Sequence, residues 1–208
     1  MKKNNPHKKE KKMWQEYGFY GLGQPASDYV FGSGGNSNGT SDQEIERSLR
    51  AIPNFLGVFS ADNLPEDINK TDACLIVNYS DENDTSGGTH WVALLHLNNR
   101  ETQPAFFDSY GYRPDDQNSV LHADADFEKY IVRKSKESGH NGKYKYNLVN
   151  MQSQNGDECG EFAAYACKVN CLPYTDASCM NPRWRNILKM NQVPGNAQRV
   201  VKKLMHMR

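Results

Sequence analysis

The first regular pattern of hydrophobic positions in the chain follows Ser41. Ile45, Leu49 and Ile52 recur at the spacing of one helix face, and a proline then ends the pattern. Ser41 and Glu44 have the spacing of a capping box, in which each residue satisfies a backbone amide of the other. The pattern predicts a helix that starts at Ser41, and we expect the folded domain to begin there.

Four later segments are rich in apolar and β-branched residues and predict strands. They are Ala73–Tyr79, Thr89–Leu97, Ala105–Asp108 and Tyr144–Met151. The first three are separated only by short polar stretches that contain glycine, proline or asparagine. We therefore expect these three to be neighbouring strands of one sheet.

Two segments in the second half of the chain predict helices of different kinds. Asp124–Ser138 is charged and weakly amphipathic, which indicates a surface helix. Cys159–Val169 carries Phe162, Ala163 and Ala166 on one helical stripe, which is typical of a helix buried against a sheet. This second helix is predicted to start at Cys159 itself, directly after a polar loop.

Residues 1–40 differ in composition from the rest of the chain. Six lysines occur among the first twelve residues, and Gly32–Thr40 is rich in glycine, serine and asparagine. Such a composition predicts a basic, flexible extension before a domain at residues 41–208. A solvated tail is the commoner meaning of a lysine cluster, and contact with DNA is the alternative.

The overall composition limits the classes of function. The 25 basic residues balance the 25 acidic ones among 208 residues, so bulk charge does not indicate a nucleic-acid-binding protein. No segment approaches the roughly 18 consecutive apolar residues of a membrane-spanning helix. The odd number of cysteines indicates a reducing, intracellular compartment. These cysteines are Cys74, Cys159, Cys167, Cys171 and Cys179.

Three polar residues stand where catalysis by a cysteine would require them. Cys159 lies at a predicted helix N-terminus, where the backbone dipole stabilises a thiolate. His90 begins one predicted strand and Asp108 ends the next, so the two can lie side by side. Asp108 could then orient His90 as the base for Cys159. Taken singly, each residue has a simpler interpretation: a core histidine, a turn aspartate and a buried small apolar residue.

Acyl transfer also requires donors for the developing oxyanion. The amide of Gln152 and the backbone N–H of Cys159 would supply two of them. A zinc-binding module is the weaker alternative, because the cysteines and His140 do not form paired ligand knuckles.

Several motifs in order resemble those of the adenovirus-type cysteine endopeptidases, within the wider clan of SUMO-specific proteases. They are Ile52–Phe59, Ala73–Asn78, Gly87–Trp91, Phe106–Gly111 and Gln152–Gly160. The resemblance implies a compact single-domain α+β fold, with a small central mixed sheet flanked by helices and the nucleophile at the N-terminus of a buried helix. It also implies hydrolysis of virion precursor proteins after small, usually glycine-containing sites. We expect the protein to be a monomer. Its expected location is the virion, the host nucleus or the cytoplasm.

Within this resemblance, Cys159 is the nucleophile, His90 its base and Asp108 the residue that orients the base. Trp91 and Gly88 are the expected substrate-binding residues, because an aromatic roof over a narrow tunnel admits only small residues. Gln152 stands seven residues before Cys159, as in the adenovirus enzymes.

The sequence departs from the adenovirus enzymes in ways that leave alternatives open. Asp108 replaces their usual glutamate and resembles the SUMO-protease branch, so a SUMO or ubiquitin-like isopeptidase is the first alternative. Gln154 competes with Gln152 for the oxyanion role. Asn141–Met151 contains no cysteine, which argues against a disulfide-linked activating peptide. The chemistry requires no cofactor, while a non-covalent peptide or DNA on the lysine-rich arm stays open as an activator. A non-catalytic binding domain is the alternative from another class.

Overall fold

Within the residues that the structure describes, five strands form one mixed sheet, which is accompanied by three helices. The structure is a computed structural model that describes residues 40–80, 90–115, 127–147, 150–152, 157–170 and 172. This mixed architecture is compatible with the predicted α+β class. None of the helices within these ranges is long and apolar enough to cross a membrane.

The sheet order follows the order of the strands in the chain. The strands are β1 (Phe55–Ser60), β2 (Ala73–Asn78), β3 (Trp91–Leu97), β4 (Ala105–Asp108) and β5 (Lys145–Tyr146). β3 runs antiparallel to both of its neighbours, β2 and β4, whereas the outer strands β1 and β5 run parallel to β2 and β4 respectively. The three strands predicted as neighbours are therefore confirmed as neighbours.

The two outer strands differ from the sequence prediction. β1 was not predicted as a strand, because Gly57 interrupts its apolar run. In the structure this glycine has a φ of +137°, and most residues of β1 are only half-buried. The predicted strand Tyr144–Met151 is wrong in its extent, since β5 contains only two residues. Asn147 follows β5 and uses its side chain, rather than a strand ladder, to bind the backbone of Asp108. Residues 148–149 lie outside the described ranges.

The helices in the described part of the chain are α1 (Asp42–Leu49), α2 (Phe127–Glu137) and α3 (Cys159–Val169). The predicted capping box of Ser41 and Glu44 is present at α1, although the helix ends before Ile52. α3 begins at Cys159, as the sequence predicted. Most of the predicted helix Asp124–Ser138 is confirmed by α2, and its first three residues lie outside the described ranges.

Both faces of the sheet are covered, which explains why the central strands are nearly continuous apolar runs. Cys74 and Ile76 of β2 belong to the hydrophobic cluster that includes α1 and α3. Leu75 and Val77, which alternate with them, belong to the cluster that includes α2. This alternation fixes which residues of β2 face each layer of helices. Most residues of α3 are buried against the sheet, and its first residue, Cys159, lies at the edge of the core.

The described part of the chain enters the fold beside the first turn of α3. The indole Nε1 of Trp91 donates a hydrogen bond to the Thr40 carbonyl oxygen at 3.0 Å. A Cβ atom on Gly160 would lie only 2.8 Å from the Cβ of Thr40. Glycine at position 160 is thus what allows residue 40 to approach the helix start so closely.

Candidate active site

His90 and Asp108 are brought together by the antiparallel pairing of β3 and β4. Val92 lies opposite Asp108 in this ladder, and His90 stands two residues before Val92. Residues two apart in an extended segment share a face, so the imidazole lies diagonally across from the carboxylate. The His90 Nε2 lies 3.1 Å from the Asp108 Oδ1, and both side chains are almost fully buried.

The Asp108 carboxylate is held in place from several directions. Its Oδ1 also accepts a hydrogen bond from the backbone N–H of Tyr110 at 2.7 Å. Asn147, which is fully buried, accepts from the Asp108 N–H at 2.9 Å and donates to the Asp108 carbonyl at 2.6 Å. With both its backbone and its Oδ1 fixed, Asp108 can set the orientation of the His90 ring.

Cys159 is the first residue of α3, and its thiol is free and partly exposed. The first amides of a helix have no partners within the helix and direct partial positive charge at this position. The Cys159 side chain is among the groups that raise the pKa of the His90 imidazole. Because Nε2 of His90 faces Asp108, an action of this imidazole on the thiol would use Nδ1.

The His90 imidazole is held in its protonated form. Burial disfavours the charged ring, but the Asp108 carboxylate and the Cys159 side chain favour it more strongly, and they raise the pKa of His90 to about 10. The ring is therefore an imidazolium at neutral pH. A cation beside a cysteine at a helix N-terminus is the arrangement that stabilises a thiolate nucleophile.

We expect kcat/KM for peptide hydrolysis to fall as the pH rises through about 10, because the imidazolium is lost there. The sign is the same for stability: a pKa raised from 6.5 contributes stability that is fully present below pH 6.5 and is lost as the pH passes 10. Kinetic pH profiles of the wild type and Asp108→Asn check this expectation. The variant should lose activity at a lower pH, and an unchanged alkaline limb would contradict the assignment of Asp108.

Gln152 lies in the same cluster, with its carboxamide bound at both ends. Its Oε1 accepts from the Ser109 hydroxyl at 2.6 Å, and its Nε2 donates to the Tyr110 hydroxyl at 3.1 Å. The Tyr110 ring in turn lies 5.0 Å from the His90 ring, measured between centroids. The structure thus brings Gln152 close to the other predicted site residues, whereas the competing Gln154 lies outside the described ranges.

The two predicted substrate-binding residues have different outcomes. Trp91 follows His90 directly and is half-buried, with its indole N–H engaged by Thr40. Gly88 lies outside the described ranges. Their roles in substrate binding stay predictions.

Four residues around the site were given no role from the sequence. Tyr79 stacks on the His90 ring at 5.5 Å between centroids, and Asn147 binds the Asp108 backbone. Ser109 and Tyr110 bind Gln152. The last two follow Asp108 directly, so the signal available for them was adjacency. Asn147 gives no such signal, because an asparagine after a strand is typical of a turn.

The cysteines and histidine considered for zinc have other contacts where they are described. Cys167 is buried, with its Sγ 3.7 Å from the Leu75 carbonyl, and burial raises the pKa of this thiol. The His140 Nε2 donates to the Asn99 carbonyl at 2.8 Å. No group of three potential metal ligands occurs among the described residues. Cys171 and Cys179 lie outside these ranges.

No protein-family model matches the chain, and no curated protein matches it.

Proposed function

We propose that the protein is a cysteine endopeptidase that cleaves polypeptides by thiolate attack. One observation carries the proposal: the buried His90 imidazole is paired with the Asp108 carboxylate, and its pKa is raised both by this carboxylate and by Cys159, which is the first residue of α3. In cysteine catalysis, a carboxylate orients an imidazole and the imidazole activates a thiol as the nucleophile, and these three groups are Asp108, His90 and Cys159 in the proposal.

In the proposed reaction, the Cys159 thiolate attacks the carbonyl carbon of the scissile peptide bond. The developing oxyanion is stabilised by the Gln152 carboxamide and the Cys159 backbone N–H. The His90 imidazolium gives its proton to the leaving amine, the C–N bond breaks, and a thioester to Cys159 remains. His90 then accepts a proton from water, whose oxygen attacks the thioester and releases the second product and the thiolate.

The proposed substrates are virion precursor proteins, cut after small, glycine-containing sites. This part of the proposal rests on the resemblance to the adenovirus-type endopeptidases, whose motif order is retained from Ile52 to Gly160. The half-buried Trp91 beside His90 is consistent with a narrow, aromatic-lined approach to the nucleophile. The chemistry uses no metal or organic cofactor. DNA on the lysine-rich arm and a non-covalent peptide are the proposed activators.

A second candidate function is cleavage of SUMO-like or ubiquitin-like conjugates. The observation that favours it is the acidic residue at position 108, which is aspartate as in the SUMO-protease branch and fits against His90 without a longer side chain. The same catalytic residues would act on a glycine-ending tail. The two candidates therefore differ only in substrate.

A single comparison of substrates tests the proposal. The purified full-length protein and Cys159→Ala are each incubated with a denatured proteome, and new peptide termini are identified by mass spectrometry. In parallel, both proteins are incubated with SUMO and ubiquitin conjugates. We expect cuts after small residues, chiefly glycine, in the wild-type digest alone, and intact conjugates. Cleaved conjugates would transfer the assignment to an isopeptidase, and identical wild-type and variant samples would contradict enzymatic activity.

A further inference from the structure

The Gln152 carboxamide is held in one orientation by two neighbouring residues that follow Asp108. The Ser109 hydroxyl donates to its Oε1 at 2.6 Å, and the Tyr110 hydroxyl accepts from its Nε2 at 3.1 Å. The Ser109 carbonyl also accepts from the backbone N–H of Met151 at 2.7 Å and from that of Gln152 at 3.1 Å. Ser109 consequently fixes both the backbone and the side-chain oxygen of residue 152.

The pKa of the Tyr110 phenol depends on Cys159. After burial, the charge of Cys159 is the strongest influence on the pKa of Tyr110, and both raise it. Charges act on each other through space, so this influence places Tyr110 and Cys159 in the same electrostatic environment. The Gln152 Nε2 is bonded to this phenol oxygen and the Oε1 to the Ser109 hydroxyl, so the two partners fix which end of the carboxamide is the nitrogen.

Tyr110 also touches the base and its orienting residue. Its backbone N–H donates to the Asp108 Oδ1 at 2.7 Å, and its ring lies 5.0 Å from the His90 ring between centroids. One residue therefore ties the oxyanion donor to the His90–Asp108 pair. Such mutual support keeps reacting groups in fixed positions before the substrate arrives.

We propose that Ser109 and Tyr110 are positioning residues that hold the Gln152 carboxamide with its nitrogen directed at the oxyanion formed on the substrate at Cys159. The inference rests on the proposed function. Neither hydroxyl touches the reacting atoms; each acts through Gln152. Loss of either hydroxyl lets the carboxamide rotate, and the transition state then loses part of its stabilisation while the substrate still binds.

Tyr110→Phe and Ser109→Ala test this inference, because each removes one hydroxyl and Tyr110→Phe keeps the ring on His90. We expect each variant to lower kcat about tenfold, which is the size of one hydrogen bond acting on the transition state, with KM near its original value. Tyr112→Phe is the matched control: Tyr112 is also buried, and its ring lies 6.1 Å from that of Tyr110. It should retain wild-type turnover.

Two further measurements separate positioning from general damage. In a Gln152→Ala background, Tyr110→Phe and Ser109→Ala should change kcat little, because their target has gone. Alkylation of Cys159 by iodoacetamide forms no oxyanion, so its rate should be unchanged in both variants. The inference is overturned if the losses remain in the Gln152→Ala background, if alkylation slows in parallel, or if both variants keep wild-type kcat. Absence of Cys159-dependent hydrolysis in the wild type would overturn the proposed function itself.

Discussion

Cys159→Ala is expected to abolish peptidase activity, with a loss in kcat of about a millionfold, the scale seen when a catalytic nucleophile is removed. The remaining helix dipole, His90 and oxyanion donors can still bind substrate, but no group can form the thioester. Cys159 is partly exposed at the first position of α3, so removal of its sulfur should change the free energy of unfolding little. Turnover of a fluorogenic peptide and urea unfolding measure the two effects.

Cys167→Ala is the matched control for this experiment. Cys167 belongs to the same helix and is fully buried, with its Sγ near the Leu75 carbonyl. Its removal should cost about 1 kcal/mol of stability through lost packing and leave turnover intact. If Cys159→Ala retains activity, the nucleophile lies elsewhere. If both variants lose activity equally, the assay reports folding rather than chemistry.

Gln152→Ala should lower kcat about 100- to 1000-fold, equivalent to roughly 2.7–4 kcal/mol of transition-state stabilisation, with KM almost unchanged. The reason is that an oxyanion donor acts on charge that develops only in the transition state. Gln152→Glu sharpens the test, since it keeps the size of the side chain and an oxygen for Ser109 but replaces the donor nitrogen. We expect it to be at least as inactive.

Gln154→Ala provides the comparison, with an expected change in kcat of only a few-fold. Kinetics of all three variants on one peptide, with folding checked by circular dichroism, decide between the two glutamines. The reversed pattern would transfer the oxyanion role to Gln154. Mild effects at both positions would leave backbone amides as the donors.

The parts of the site that could be predicted from the sequence depend on local rules. The alternation of side chains along two adjacent strands places His90 and Asp108 on one face, and the register of β3 with β4 agrees with it. The change from a polar loop to an apolar helical stripe located the start of α3 at Cys159. Each of these inferences required only a few neighbouring residues.

The parts that could not be predicted depend on contacts between distant segments. Asn147 binds the backbone of Asp108, 39 residues away in sequence. β5 ends just before this asparagine, whereas the apolar pattern predicted a longer strand. The bond between Ser109 and Gln152 spans 43 residues. β1 could not be recognised, because a glycine within a short apolar run also fits a turn. The structure shows that Gly57 instead lies inside the strand, at a positive φ.

The hydrogen bond from Trp91 to Thr40 makes the indole a spectroscopic reporter of the candidate active site. Trp91 adjoins His90, and its N–H is satisfied by the residue at which the described chain begins. Indole emission is sensitive to the polarity around the ring. Release of residue 40 would therefore expose Trp91 to water and shift its emission maximum to longer wavelength. Trp14 and Trp184 are the other two tryptophans, and both can be replaced by phenylalanine. The fluorescence of Trp91 then reports whether residue 40 stays bound beside α3 in solution.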